Sequence, residues 1–117
     1  MKGTGALTLA DGHVYPGELL GSSSAQGEVV FFTGMTGYQE VLTDPSYRGQ
    51  IIVFTYPLIG QYGISEQDSE SRQIQVSGVV VQTLANNGLR SDLADWLVAS
   101  DIPVLTQVDT RALVHHL

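Results

Sequence analysis

The stretch GMTGYQEVLTDPSYRGQ, residues 34–50, sets the frame for the rest of the chain. Thr36 followed by Gln39 is a capping box: the threonine hydroxyl accepts from the amide three residues on, and the glutamine reaches back. The helix it starts is short, residues 37–43, with Tyr38, Val41 and Leu42 facing inward. Pro45 disfavours helical geometry at Asp44, so the helix ends there. Asp44-Pro45-Ser46-Tyr47 then suits a type I turn, with aspartate first and proline second. Ser46 is expected at the turn tip, hydroxyl outward, just before a strand that follows Gln50. From the residues alone, Ser46 either completes a turn bond to nearby backbone or offers a ligand one well-placed hydrogen bond. A hydrolase nucleophile is a poor reading. No G-x-S-x-G elbow surrounds it, and no histidine is placed by the sequence to activate it.

Outward from this stretch, strand and turn signals alternate. Ala6-Leu7-Thr8-Leu9 runs into Asp11-Gly12, a hairpin signal, after which Val14 and Tyr15 resume the pattern. Glu28-Val29-Val30-Phe31-Phe32 follows a Gly/Ser-rich loop over residues 21–27 and reads as a largely buried strand. Residues 51–56 form another, closed by Pro57. VSGVVVQTL, residues 76–84, predicts a third long apolar strand, in which Gly78 marks a bulge or a close backbone approach. Ser91 caps a helix over residues 92–99, with Leu93, Trp96 and Leu97 on one face and Asp92 and Asp95 at its positive end. Pro103 precedes a short strand over residues 104–108. Asp109 then caps a final helix carrying Leu113, Val114 and Leu117. This order predicts one mixed α/β domain over residues 1–117, its antiparallel part first and its strand–helix part last. The sequence stops while still helical, so we expect a domain belonging to a longer protein.

Composition narrows the function. A hydrophobic fraction of 43% with 15% charged residues describes a globular chain with a real core. The formal charge is −7, and the basic residues Lys2, Arg48, Arg72, Arg90 and Arg111 are scattered. Nucleic acid is therefore not an expected partner, because tracking phosphates takes a basic patch. Nor is a membrane: no run approaches the ~18 apolar residues of a span, and the N-terminus lacks a signal peptide's apolar centre. There is no cysteine, hence no disulfide, thiolate ligand or cysteine nucleophile, which fits a cytoplasmic location.

Other polar residues read plainly. Glu66, Asp68 and Glu70 alternate as a solvated strand edge or loop would, not as a cation site. His13, His115 and His116 are the three histidines. Adjacent ligands on a helix point in different directions, so the pair reads as a solvated helix end and no metal site is assigned. Arg111 is placed to pair with Asp109 or with a neighbouring domain, Trp96 sits at core spacing, and Tyr38 and Tyr47 are expected to pack the serine turn down.

TGMTGYQEVLTDPSYRGQIIVFTYPLIGQYG, residues 33–63, closely resembles the amino-terminal domain of the small, glutamine-hydrolysing subunit of carbamoyl-phosphate synthetase. The likeness extends outward: ALTLADGHVYPGELLG is similar to that family's opening hairpin, GEVVFFTG to its next strand and VSGVVVQTL to a later one. IPVLTQVDTRALVHHL is similar to its closing element, here Val108-Asp109-Thr110-Arg111. One departure is ANNGLR, residues 85–90, shorter than the family's usual loop, which often carries a proline and an aromatic.

The resemblance implies a fold of the swivelling β/β/α type, three layers with mixed sheets. It implies a heterodimeric enzyme whose small subunit hydrolyses glutamine and passes ammonia through a tunnel. The large subunit uses ATP and Mg to convert bicarbonate and ammonia into carbamoyl phosphate, feeding pyrimidine and arginine synthesis. The class I glutaminase domain, with its Cys-His-Glu machinery, would lie elsewhere in the same full-length chain. This domain would then hold no cofactor and no catalytic residue. Its one substrate contact carried over is Ser46, which would help hold L-glutamine across the domain boundary. Contact with the large synthetase subunit is also implied, and the glycine-spaced aromatic surfaces flanking residues 34–50 and 56–62 are the expected meeting points. The rival reading is a stand-alone binding or assembly module of the same fold without a glutaminase partner.

Overall fold

Four consecutive apolar residues, Ile51–Phe54, form strand β4, and all four are buried. A strand with both faces covered cannot alternate polar and apolar positions, and such runs belong inside a parallel sheet. The computed structural model, which describes residues 2–21, 24–34, 38–56, 58–59, 73–84 and 92–116, places β4 between two parallel neighbours. On one side is β3, Val29–Phe32, with Val29 opposite Ile51; on the other is β6, Gly78–Val80, with Gly78 opposite Ile51. Strand β8, Val104–Thr106, continues the sheet in parallel beside β6. Beyond it the sense reverses. β2, Val14–Leu20, runs antiparallel to β8 and is joined by a hairpin to β1, Lys2–Thr8. The six-stranded order is β1-β2-β8-β6-β4-β3.

The hairpin turns as Asp11-Gly12 predicts, through a three-residue loop. Gly12 N–H donates to the Leu9 carbonyl at 2.9 Å, Leu9 N–H to the His13 carbonyl at 2.8 Å, and Gly12 takes φ +94°, the left-handed residue such a loop demands.

Among the described residues three helices cover the sheet: α1, Tyr38–Thr43; α2, Asp92–Ala99; and α3, Thr110–His116. Side-chain alternation splits the core into two layers. Ile52, Phe54, Val79 and Val104 face Leu42 of α1 and Leu97 of α2. Ile51, Val53, Val80 and Leu105 face the opposite way, onto Leu7 and Leu9 of the hairpin and Leu113 of α3. Phe32 and Phe54 meet edge to face with ring centroids 5.6 Å apart, and Trp96 packs against the first layer as its spacing predicts. α2 stops in a Schellman motif: Ile102 N–H donates to Leu97 and Asp101 N–H to Val98, with Asp101 at φ 60°.

Several expectations are corrected. VSGVVVQTL is not one strand: β6 ends at Val80, and β7, Thr83–Leu84, pairs in parallel with β5, Leu58–Ile59, in a separate two-stranded sheet. One long apolar run thus serves two sheets, a change of partner that hydropathy does not register. Gly78 marks neither a bulge nor a tight approach, since a Cβ there would meet Ala25, Ile51 and Pro103 at ordinary 3.6–3.7 Å contacts. The strands expected over 51–56 and 104–108 close at Phe54 and Thr106, the latter because Gln107 adopts φ 62°. Val114 of α3 is exposed, whereas Leu113 is fully buried. The caps Thr36 and Ser91, the group Glu66-Asp68-Glu70, loop 85–90 and Leu117 lie outside the described residues, as do the side chains of Tyr38 and Leu93. Among the described residues no helix is long and apolar enough to cross a membrane.

Candidate functional site

The turn that carries Ser46 is built by its neighbours. α1 ends at Thr43, whose buried hydroxyl donates to the Gln39 carbonyl at 2.9 Å. Asp44 follows in an extended conformation, φ −74° and ψ 120°, and Pro45, Ser46 and Tyr47 form one 3-10 turn. The Asp44 Oδ1 accepts from Ser46 N–H at 2.9 Å, and its carbonyl accepts from Tyr47 N–H at 3.0 Å. The aspartate therefore caps the turn, as its place before proline predicts. Arg48 N–H closes the turn onto the Pro45 carbonyl at 3.2 Å, and Tyr47 is tucked against the core.

A second layer of bonds fixes the turn to the sheet. Gln75 N–H donates to the Leu42 carbonyl at 2.7 Å, and the Gln75 carbonyl accepts from Gly49 N–H at 3.2 Å. Gln75 Oε1 also accepts from Arg48 Nε at 3.2 Å. One residue thus straps the end of α1 to the exit of the turn. Gly49 leaves at φ +77°, and Ile51 N–H then donates to the Glu28 carbonyl at 2.8 Å to start β4. Ser46 itself is exposed at the tip. It is the outward residue of a frame whose backbone is bonded on both sides.

Serine nucleophile chemistry has no support in this geometry. Among the described residues no histidine hydrogen-bonds Ser46. His13 and His116 are engaged instead with Asp11: His116 Nε2 lies 2.6 Å from Asp11 Oδ2, and His13 Nδ1 lies 3.2 Å from Oδ1. The Asp11 carboxyl is held well below the usual carboxylate range, first by the backbone N–H of His13 and then by the His116 ring. His115, the neighbour of His116, is exposed and takes no part in the cluster. Arg111 is exposed and makes no ion pair among the described residues. Asp109 works as a cap, its Oδ1 accepting from Ala112 N–H at 3.0 Å.

Two cavities lie away from the serine turn. One of about 150 Å³ is lined by Leu7, Leu19, Ile51, Val80 and Leu105 among others. A wider groove of about 860 Å³ runs between the hairpin end and residues 25–29. Neither is lined by Ser46.

Comparison with known proteins decides what such a frame belongs to. The family profile of the carbamoyl-phosphate synthase small chain, CPSase domain, matches residues 7–117. The chain belongs to that family. It is 56% identical over 114 residues to the carbamoyl phosphate synthase arginine-specific small chain of Bacillus subtilis (strain 168), covering 94% of this chain and 32% of that one. It is 50% identical over 114 residues to the carbamoyl phosphate synthase small chain of Symbiobacterium thermophilum, covering 93% and 31%. It is 47% identical over 116 residues to the pyrimidine-specific small chain of Lactiplantibacillus plantarum, covering 95% and 32%. The chain spans about a third of the length of these carbamoyl phosphate synthase small chains. The Asp11–His13–His116 cluster is what sequence reading missed. Asp11, a hairpin residue by its sequence, joins His13 to His116, whereas His115 of the adjacent pair stays outside.

Proposed function

We propose that this chain is the non-catalytic domain of the small subunit of a glutamine-hydrolysing carbamoyl-phosphate synthase. Ser46 orients L-glutamine for a glutaminase domain of the same full-length chain. That domain releases ammonia, and a large subunit with ATP and Mg joins it to bicarbonate as carbamoyl phosphate, for arginine or pyrimidine synthesis. The observation that carries this reading is the exposed serine at the tip of a turn bonded on both flanks. A rigid donor that faces outward suits a site completed by a second domain, and a preorganised frame holds a hydrogen-bonding group at low entropic cost. The absence of cysteine from this sequence places the nucleophile of such an enzyme outside it.

The same reading covers assembly and fold. The surfaces flanking residues 34–50 and 56–62 meet the glutaminase domain and the large subunit. The arrangement is of the swivelling β/β/α type, supported by helices α1 and α2 on one sheet face and the hairpin end with α3 on the other.

The test is Ser46→Ala in the full-length small subunit assembled with its large subunit. Loss of one neutral hydrogen bond is worth ~0.5–1.5 kcal/mol, so the KM for glutamine should rise by about two- to tenfold. Synthesis from ammonia should continue at the unmodified rate. Glutamine-dependent turnover identical to that of the parent would refute the role of Ser46.

A further inference from the structure

We propose that Asp11, His13 and His116 form a binding site for a borderline divalent cation of the Zn²⁺ kind, clipping the β1–β2 hairpin to the last turn of α3. One ligand atom from each of the three residues can be chosen so that all lie within 4.8 Å of one another. In a tetrahedral site with bonds of ~2.1 Å, ligand atoms stand about 3.4 Å apart. The side chains of Asp11 and His13 are 51% and 60% exposed, so rotation of these two closes the difference. His116, at 21%, is the anchored ligand. Its ring lies 4.0 Å from that of His13, centroid to centroid, and meets Tyr15 edge-on at 6.1 Å.

The donor set has the right chemistry. Two imidazoles and a carboxylate suit Zn²⁺ and leave a fourth position for water. The carboxylate is already oriented, because the His13 N–H donates to Asp11 Oδ1 at 3.0 Å, the kind of supporting bond that aims metal ligands. An ion bound at His116 Nε2 takes the place of the hydrogen that this atom now shares with Asp11 Oδ2. The ligands come from the two ends of the chain, with Asp11 and His116 105 positions apart. An ion here therefore ties the first hairpin to the final helix.

Zn²⁺ titration of the 117-residue chain by calorimetry, with Co²⁺ absorption as a spectroscopic reporter, tests the site. We expect one equivalent of Zn²⁺ and a Tm rise of at least ~5 °C at saturating excess. His13→Ala and His116→Ala should each weaken binding at least about tenfold, since even loss of a supporting contact to a ligand costs that much. Asp11→Asn, close to isosteric, should do the same while keeping the metal-free melting curve, which separates ligand loss from misfolding. His115→Ala should leave affinity within about twofold of the parent. No saturable Zn²⁺ binding, or binding indifferent to His13→Ala and His116→Ala, would overturn the site. So would an equal loss in His115→Ala, which would assign the ion to the adjacent histidine pair.

Discussion

A Cβ added to Gly27 would stand 2.1 Å from the carbonyl oxygen of Gly49. The segment entering β3 and the exit of the serine turn therefore pack backbone against backbone, with no room for a side chain between them. This contact, together with the Gln75 strap, holds the Ser46 turn against the sheet.

Gly27→Ala should accordingly be costly although the residue lies near the surface. The obstacle is a peptide carbonyl that cannot rotate away, so the strands must shift. Overpacking of this sort destabilises by ~1–3 kcal/mol. Urea unfolding would show a lowered midpoint, and a midpoint matching the parent would mean that the turn yields freely.

Gly49→Ala isolates a different cause. A Cβ at Gly49 would meet nothing within 4 Å, but its φ of +77° is left-handed. The cost is then backbone strain alone, about 1–2 kcal/mol for alanine. Asparagine tolerates this region better, so Gly49→Asn should recover much of the loss in the same thermal melt. Equal losses for the two variants would point to a lost contact instead of strain.

Asp44→Ala removes the acceptor for Ser46 N–H. Loss of such a cap costs ~0.5–2 kcal/mol, whereas Asp44→Asn keeps an oxygen in place and should cost less. Hydrogen exchange at the Ser46 amide is the direct readout. Protection unchanged in Asp44→Ala would contradict the cap.

On the opposite layer, Asp109→Ala should cost about 1 kcal/mol by uncapping α3. Leu113→Ala, which empties a fully buried position, should cost ~2–5 kcal/mol. Val114→Ala, exposed on the same helix, should fall within about 0.5 kcal/mol of the parent. Denaturant midpoints that failed to separate Leu113 from Val114 would contradict the observed facing of α3.

Much of this architecture is legible in local chemistry. Asp11-Gly12 specifies a tight reversal, Pro45 ends a helix at Asp44, and Asp109 starts one, because each acts on backbone within four residues of itself. The two-sided burial of Ile51–Phe54 is legible too, as an apolar run too short for a helix and without polar alternation. Val114 shows the limit of this kind of reading. Adjacent helical positions do not face the same way, so only Leu113 of the two is buried, and which one it is depends on what the helix packs against.

The sequence by itself determined the Asp11-Gly12 hairpin, the Asp44-Pro45 turn with its outward serine, the Asp109 cap and the buried strand Ile51–Phe54, since these follow from backbone sterics and from side chains bonding to near neighbours. Only the tertiary structure decided that VSGVVVQTL divides between two sheets, because strand partners are chosen by long-range pairing and not by hydropathy. It alone set Gly27 against Gly49 and carried His116 to Asp11. Those contacts join segments far apart in the chain, where proximity is created by the packing of the whole sheet and leaves no local trace.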